Sequence, residues 1–158
     1  MGILDKLKTA TNVVSGGGAK VSIEYPTHTV FPGEPVQVRV TVMSSGGEVK
    51  SKGIYADLVC EEVVSTQEKV TCQRCRNSWD APVNNTKNVA NQSYPLAPAF
   101  VLAAGETRTF EGTLQVPGGS PPSFTGPSVR YEWKIRGRLE AFGNDPDSGF
   151  QSLRVGTR

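Results

Sequence analysis

Three cysteines are the first candidates for chemistry in this sequence. Cys72 and Cys75 are separated by two residues, a spacing at which one zinc ion reaches both sulfurs across a tight turn. If the strand through Cys60 turned near Thr66 and returned through Cys72, three thiolates would converge. His28, the only histidine, would then have to arrive from another strand as the fourth ligand. The alternative is three ordinary thiols in a strand and a loop, since a CxxC pair without a second pair is weak evidence for a metal.

Four cations alternate along one segment of the sequence. They are Arg130, Lys134, Arg136 and Arg138. Because residues two apart share a face of a β-strand, these side chains are predicted to line one side of a sheet. One hypothesis is a docking surface for an acidic or phosphorylated protein, which arginine binds with paired hydrogen bonds. The alternative is a solvated sheet face whose cations pair across strands with carboxylates such as Asp57 and Glu61.

Residues for acid–base or nucleophilic catalysis are sparse. The sequence has one histidine and contains neither an HExxH nor a GxSxG motif. No pair of carboxylates has a spacing that would assemble a general acid and a general base. We therefore expect a protein that is not an enzyme and holds no cofactor, with zinc at Cys60, Cys72 and Cys75 as the alternative.

The net charge and the hydropathy of the chain argue against nucleic-acid binding and against a membrane span. The chain has 17 Lys and Arg residues against 15 Asp and Glu, a net charge of +2 that does not indicate nucleic-acid binding. No apolar run approaches the ~18 residues of a membrane span, and the charged first residues do not resemble an export signal. We expect a cytoplasmic protein without a stable membrane anchor, whose cysteines stay reduced.

The elements that must position these residues are strands. With 17 Gly and 11 Pro, the composition is typical of strands joined by turns. Apolar and polar residues alternate over residues 36–42 and 129–139, as in strands with one face in a core. Residues 53–64 and 66–72 are predicted to be a strand and its antiparallel return, and residues 74–95 a long surface loop. The pattern predicts an all-β fold, an antiparallel β-sandwich.

One helix is predicted, over residues 3–14, because its apolar positions fall on one stripe at ~100° per residue. The Gly-rich segment at residues 15–18 would end it and act as a flexible joint. We therefore divide the chain into residues 1–18, an amphipathic helix with its joint, and residues 19–158, the sandwich domain. The helix is expected to cover an edge or an open end of the sandwich, with insertion into a membrane interface or a partner groove as alternatives.

Several segments resemble the N-terminal domain of the arrestin fold. They are the turn FPGE at residues 31–34 before the strand at 36–42, the run GIYADL at 53–58, and PPSFxG at 121–126 before the strand at 129–139. The predicted helix followed by GAKV at residues 18–21 is most similar to the bacterial sporulation-control branch of arrestin relatives.

The resemblance implies an immunoglobulin-like or arrestin-like sandwich with a non-catalytic, protein-binding role. Such an interaction or scaffold module would bind a protein partner through a sheet face or an edge strand, and edge strands would also allow homo-oligomers. Full-length arrestins pair two such domains, whereas this chain is expected to form one. Adjacent lysines are missing from its first strand, so binding of phosphorylated receptors is not implied. The alternative function is a zinc-binding β-protein organised around Cys60, Cys72 and Cys75.

Overall fold

The computed structural model describes residues 7–10 and 18–158 of the protein. The regular elements in these ranges are all β-strands, which pair in two antiparallel sheets. The predicted all-β fold, an antiparallel sandwich, is therefore confirmed. No helix among the described residues is long and apolar enough to cross a membrane.

Ten strands follow one another along the described chain. They are β1 (Leu7–Ala10), β2 (Ala19–Pro26), β3 (Pro35–Ser44), β4 (Val49–Thr71), β5 (Ser78–Ala97), β6 (Phe100–Leu102), β7 (Thr107–Gln115), β8 (Phe124–Thr125), β9 (Val129–Ala141) and β10 (Gln151–Leu153). The four-stranded sheet has the order β1-β2-β3-β7. The six-stranded sheet has the order β10-β9-β4-β5, with β6 paired to β4 and β8 paired to β9.

The core lies between the sheets and contains the alternating residues that predicted it. Val38 and Val40 are buried on the four-stranded sheet, and Trp133, Ile135 and Leu139 are buried on the six-stranded sheet. Burying an aliphatic side chain of this size contributes roughly 1.5–3 kcal/mol. The alternation predicted for residues 36–42 is confirmed, and that predicted for residues 129–139 is confirmed from Trp133 to Leu139, whereas residues 129–132 are all half-buried.

The two sheets approach each other closely at Gly137 of β9. A Cβ atom on this residue would lie 2.9 Å from both terminal carbons of the Val40 side chain and 3.5 Å from the Cβ of Ile23. The first two distances are well inside the ~3.5–4.0 Å at which carbon atoms make favourable contact. Glycine is therefore the residue that lets the opposing valine fill this part of the core.

Strands β4 and β5 form one long hairpin, and two predictions about it are wrong. β4 continues through Thr66, where a turn was predicted, and the chain reverses at residues 72–77 instead. Most of the predicted surface loop forms β5, which pairs with β4 along its length. The loop was predicted because much of β5 is exposed on both faces, so the burial alternation of a half-buried strand is absent.

Among the residues that the structure describes, the outer part of this hairpin pairs only with itself. Val64 is the last residue of β4 that pairs with β9, and beyond it β4 pairs with β5 alone. We call residues 66–83 the arm and residues 72–77 its tip. A two-stranded ribbon buries little surface on its own, so the arm projects from the sandwich as an exposed element.

The predicted helix is wrong where the structure describes it. Leu7–Ala10 is strand β1, and it pairs antiparallel with the edge of β2. A helix shorter than ~12–15 residues is marginal in water, whereas the edge of a sheet offers unpaired backbone donors and acceptors. The rest of the predicted helix lies in residues 1–6 and 11–17, outside the described residues. The domain boundary between residues 18 and 19 stays a prediction.

Candidate functional site

The outer face of the six-stranded sheet carries a charged cluster around Asp57. The register places Asp57 of β4 between Arg136 of β9 and Ser93 of β5. Arg136 Nε lies 2.7 Å from Asp57 Oδ2, and Arg138 Nε lies 3.0 Å from the same oxygen. The Ser93 hydroxyl donates to the other oxygen, Oδ1, at 2.6 Å. Asp57 is only 3% exposed, so two cations and a hydroxyl enclose a buried carboxylate.

These contacts determine the ionisation of Asp57. Burial by itself raises the pKa of the carboxyl, but hydrogen bonds from Arg138, Ser93 and Arg136 outweigh burial and hold the pKa below its usual value. The hydrogen bond to Asp57 in turn raises the pKa of the Arg138 guanidinium. Asp57 is therefore ionised at neutral pH with both oxygens engaged. A carboxylate held in this way is not available as a general base.

We expect the Asp57 cluster to make stability depend on pH in the acidic range. The pKa of Asp57 is lower in the folded chain than in the unfolded chain, where it is about 3.9. Its contribution is therefore fully present above the unfolded pKa and is lost as the pH falls through the folded pKa. Urea unfolding of the wild type and of Asp57→Asn between about pH 7 and about pH 3 measures this contribution to the free energy of unfolding.

The difference in free energy of unfolding between these two chains is expected to be constant near neutral pH and to shrink in the acidic part of the titration. A difference that stays the same over the whole pH range would contradict the assignment of Asp57 as an ionised, paired carboxylate.

Each cation of the predicted basic stripe has a carboxylate partner within the chain. Arg130 Nε lies 2.7 Å from Glu132 Oε1, and Lys134 pairs with Glu61 of β4. The other two cations share Asp57, as described above. The cross-strand ion pairs to Asp57 and Glu61 that the alternative predicted are present for Lys134, Arg136 and Arg138, whereas the partner of Arg130 belongs to the same strand. Partner binding by the four cations stays a prediction, and a partner would have to replace these internal carboxylates.

Further contacts hold the two arginines of the Asp57 cluster. Arg136 Nη1 lies 3.2 Å from Asp147 Oδ2, and its guanidinium carbon lies 4.5 Å from the centre of the Phe150 ring. Arg138 Nη1 lies 3.7 Å from Asp145 Oδ2. Beside the cluster is a groove of about 380 Å³. The charged residues that line this groove all take part in ion pairs within the chain, and these pairs connect β4, β9 and the loop that follows β9.

The structure does not bring the three cysteines together. Cys60 is buried in the core opposite Trp133 of β9. Burial, with a smaller contribution from two adjacent glutamates, raises the pKa of the Cys60 thiol to about 11, so this thiol stays protonated. Cys72 and Cys75 lie at the tip of the arm, roughly 40 Å from Cys60 at ~3.3 Å per strand residue. The predicted convergence is wrong because β4 continues through Thr66 instead of turning there.

Cys72 and Cys75 belong to the tight turn at the tip. The Cys75 backbone N–H donates to Cys72 Sγ at 3.4 Å. Hydrogen bonds from the Cys75 side chain, and then from backbone N–H groups, lower the pKa of the Cys72 thiol. His28, considered as a fourth ligand, is exposed after β2. No group of three or more His, Cys, Asp or Glu residues that could hold a metal exists in the described part of a single chain.

The arm also carries an apolar face that was not predicted. Residues directly opposite each other in an antiparallel pair share a face, and the register pairs Val70 with Trp79, Glu68 with Ala81 and Thr66 with Val83. Glu68 is the one charged residue among these six. The Trp79 side chain is 51% exposed and that of Val70 is 37% exposed. The sequence contained a signal for this face, because Trp79, Ala81 and Val83 stand at every second position.

Comparison with known proteins gives one family and a solved structure of similar fold. A protein-family model described as "Spo0M: SpoOM protein" matches residues 7–144. The crystal structure of Spo0M, a sporulation control protein from Bacillus subtilis, is similar with a TM-score of 0.62 and 21% sequence identity. The similarity covers 90% of this chain and 51% of that chain, so this chain spans about half the length of that protein. No curated protein matches the sequence.

Because the sequence identity is low, the structural similarity establishes the shared fold and nothing more. The family match extends from β1 to the residues just after β9, and it therefore includes most of both sheets. The expected relation to the sporulation-control branch of arrestin relatives is confirmed by the two findings together. This chain belongs to the Spo0M family.

Proposed function

We propose that this protein is a non-catalytic interaction module of the arrestin-like type, which binds a protein partner with the apolar face of its arm. The observation that carries the proposal is the exposed pair of Val70 and Trp79 close to the tip. Exposed apolar clusters mark interaction sites more often than scattered apolar residues do, and tryptophan is enriched among residues that dominate binding energy. The partner is then a protein with an apolar groove that accepts an indole ring.

The chemistry of the described side chains supports a role without catalysis. Asp57 has both oxygens engaged by arginines and a serine, and the Cys60 thiol is buried and protonated. The Bacillus subtilis protein of similar structure is a sporulation control protein. Control of sporulation, and a place in the cytoplasm, are the process and the compartment that we propose for this chain, and membership of the family supports them.

Binding through the free edge of β5 is less well supported than binding through the face of the arm. β5 is the last strand in the order of its sheet, and Pro82 and Pro95 lack the backbone N–H that an added strand would use. The register also skips Val89, since Cys60 pairs with Ala90 and the next residue of β4 pairs with Asn88. Prolines and bulges are devices by which natural sheets prevent edge-to-edge pairing.

A pair of double variants tests the arm. Val70→Ser with Trp79→Ser removes the apolar face, and Lys69→Ser with Asp80→Ser changes the neighbouring pair of residues on the opposite face. Wild type and both variants are tagged and used to capture proteins from lysate of the source organism, with quantification by mass spectrometry. We expect a partner that the wild type and the control retain equally. Its capture by the apolar-face variant should fall by roughly tenfold or more, since losing a central tryptophan contact costs ~2 kcal/mol or more.

Circular dichroism spectra of the three chains should coincide, because all four positions are on the exposed arm. If the apolar-face variant captures the same proteins in the same amounts as the wild type, the arm is not the binding surface and the proposal fails.

A further inference from the structure

The tip of the arm brings two cysteines into one tight turn. The Cys75 N–H donates to Cys72 Sγ at 3.4 Å. The Arg76 N–H donates to the Cys72 carbonyl oxygen at 2.9 Å, and Arg76 has a φ of 57°, in the left-handed region. This backbone lets the chain reverse within residues 72–77, with Cys72 and Cys75 three positions apart in the same turn. One metal ion can bind across a CxxC pair arranged in this way.

The described part of one chain supplies only half of a structural zinc site. Zinc in such sites takes four ligands in a tetrahedral arrangement, and no third potential ligand joins the two cysteines anywhere in residues 18–158. The other members of the turn are neutral or cationic. They are Gln73, Arg74, Arg76 and Asn77. Within the described residues the pair therefore lacks two ligands, which another molecule can supply.

A second copy of this chain is the molecule that the geometry favours. Cys75 is exposed and Cys72 half-buried, at the outer end of the arm, where no third strand among the described residues pairs with β4 or β5. Two tips related by a two-fold axis present the same pair of thiols to each other and complete a set of four cysteines. No ligand outside the tip is then needed.

The charges at the tip fit this arrangement. Four thiolates around Zn²⁺ leave two negative charges, and Arg74 and Arg76 flank Cys75 in each copy. These arginines offset the charge of the metal centre. Without the metal the same cations repel one another, so association of two tips depends on zinc.

We propose that the tip of the arm is half of an intermolecular zinc site, in which Cys72 and Cys75 of two copies bind one zinc ion. Each thiol loses its proton and each sulfur forms one Zn–S bond, so four protons are released and no atom changes oxidation state. The site is separate from the apolar face formed by Val70 and Trp79. It therefore goes beyond the proposed partner binding and does not depend on it.

Zinc titration of the reduced full chain tests the site. Multi-angle light scattering is expected to show the molar mass double, with saturation at about one zinc per two chains. Cobalt(II) in place of zinc is expected to give the visible absorption of a tetrahedral cobalt ion and the near-ultraviolet bands of thiolate ligands.

Variants locate the ligands. Cys72→Ser and Cys75→Ser are each expected to remain monomeric in zinc and to lose the cobalt spectrum. Cys60→Ala is the matched control, because Cys60 is buried in the core away from the tip, and it is expected to dimerise as the wild type does. The Val70→Ser, Trp79→Ser chain should also dimerise in zinc, which separates this proposal from the proposed partner binding.

Four results would overturn the proposal. They are a monomer at saturating zinc, one zinc bound per chain, no zinc bound by the reduced chain, and a zinc-dependent dimer that persists in Cys72→Ser or Cys75→Ser.

Discussion

Replacing Trp133 with alanine is expected to lower the free energy of unfolding by about 4 kcal/mol. Trp133 is 1% exposed, and its indole N–H donates to the backbone oxygen of Pro121 at 2.8 Å. The variant loses the buried apolar area of the indole and leaves a cavity between the sheets. It also leaves the Pro121 carbonyl without its donor. Urea unfolding followed by circular dichroism measures the change as a lower midpoint with an unchanged slope.

The second tryptophan provides the control. Trp79 is 51% exposed on the arm, so Trp79→Ala is expected to change the free energy of unfolding by less than about 0.5 kcal/mol. Equal losses in the two variants would show that Trp133 is not a core residue, and the layered architecture around it would have to be revised.

Replacing Asp57 with alanine is expected to cost about 3 kcal/mol at neutral pH. Arg136 and Arg138 both lose their shared carboxylate, and the Arg138 side chain is only 18% exposed, so its charge is poorly solvated. Asp145 and Asp147 still face these guanidinium groups. They compensate part of the charge, which places the expected loss at the lower end of the range for breaking a buried ion pair.

Glu61→Ala is the matched control for this prediction. Glu61 pairs with Lys134, and both side chains are more exposed than Asp57, at 25% and 30%. The expected loss is at most about 1 kcal/mol, as for other surface pairs. If Asp57→Ala lowers the free energy of unfolding no more than Glu61→Ala does, burial does not make the ion pairs of Asp57 more stabilising than the pair of Glu61.

The core was predictable because a half-buried strand shows its burial in its sequence. Val38 and Val40 stand at every second position of β3, and the structure buries both. The FPGE turn was also predictable from its residue types, because Gly33 adopts a φ of 84° that few other residues tolerate. The ion pairs of Asp57 followed from the same rule, since alternation places carboxylates and cations on the outer face of neighbouring strands.

The arm was not predictable in the same way. Beyond Ser65 both faces of the hairpin lie in solvent, so burial imposes no alternation, and the Asn-rich composition of β5 is typical of loops. The backbone ladder to β4 holds β5 as a strand in spite of that composition. The cysteine hypothesis depended on the position of the turn. A turn at Thr66 would place Cys60 opposite Cys72, whereas the turn at residues 72–77 separates them along β4.

The error at the start of the chain has another physical cause. A local period of apolar residues predicts a helix, but Leu7–Ala10 pairs with the edge of β2. Edge pairing depends on where a distant strand lies, and a window of neighbouring residues does not contain that information.

Strand β4 has one more consequence for how the protein works. The same strand contributes Ile54 and Leu58 to the core and Val70 to the arm, with neither glycine nor proline between residues 54 and 71. Within β4, the chain therefore has no glycine or proline at which it would bend between the core and the arm. A molecule bound near residues 72–79 is connected to the core by one continuous strand, which also contains Asp57.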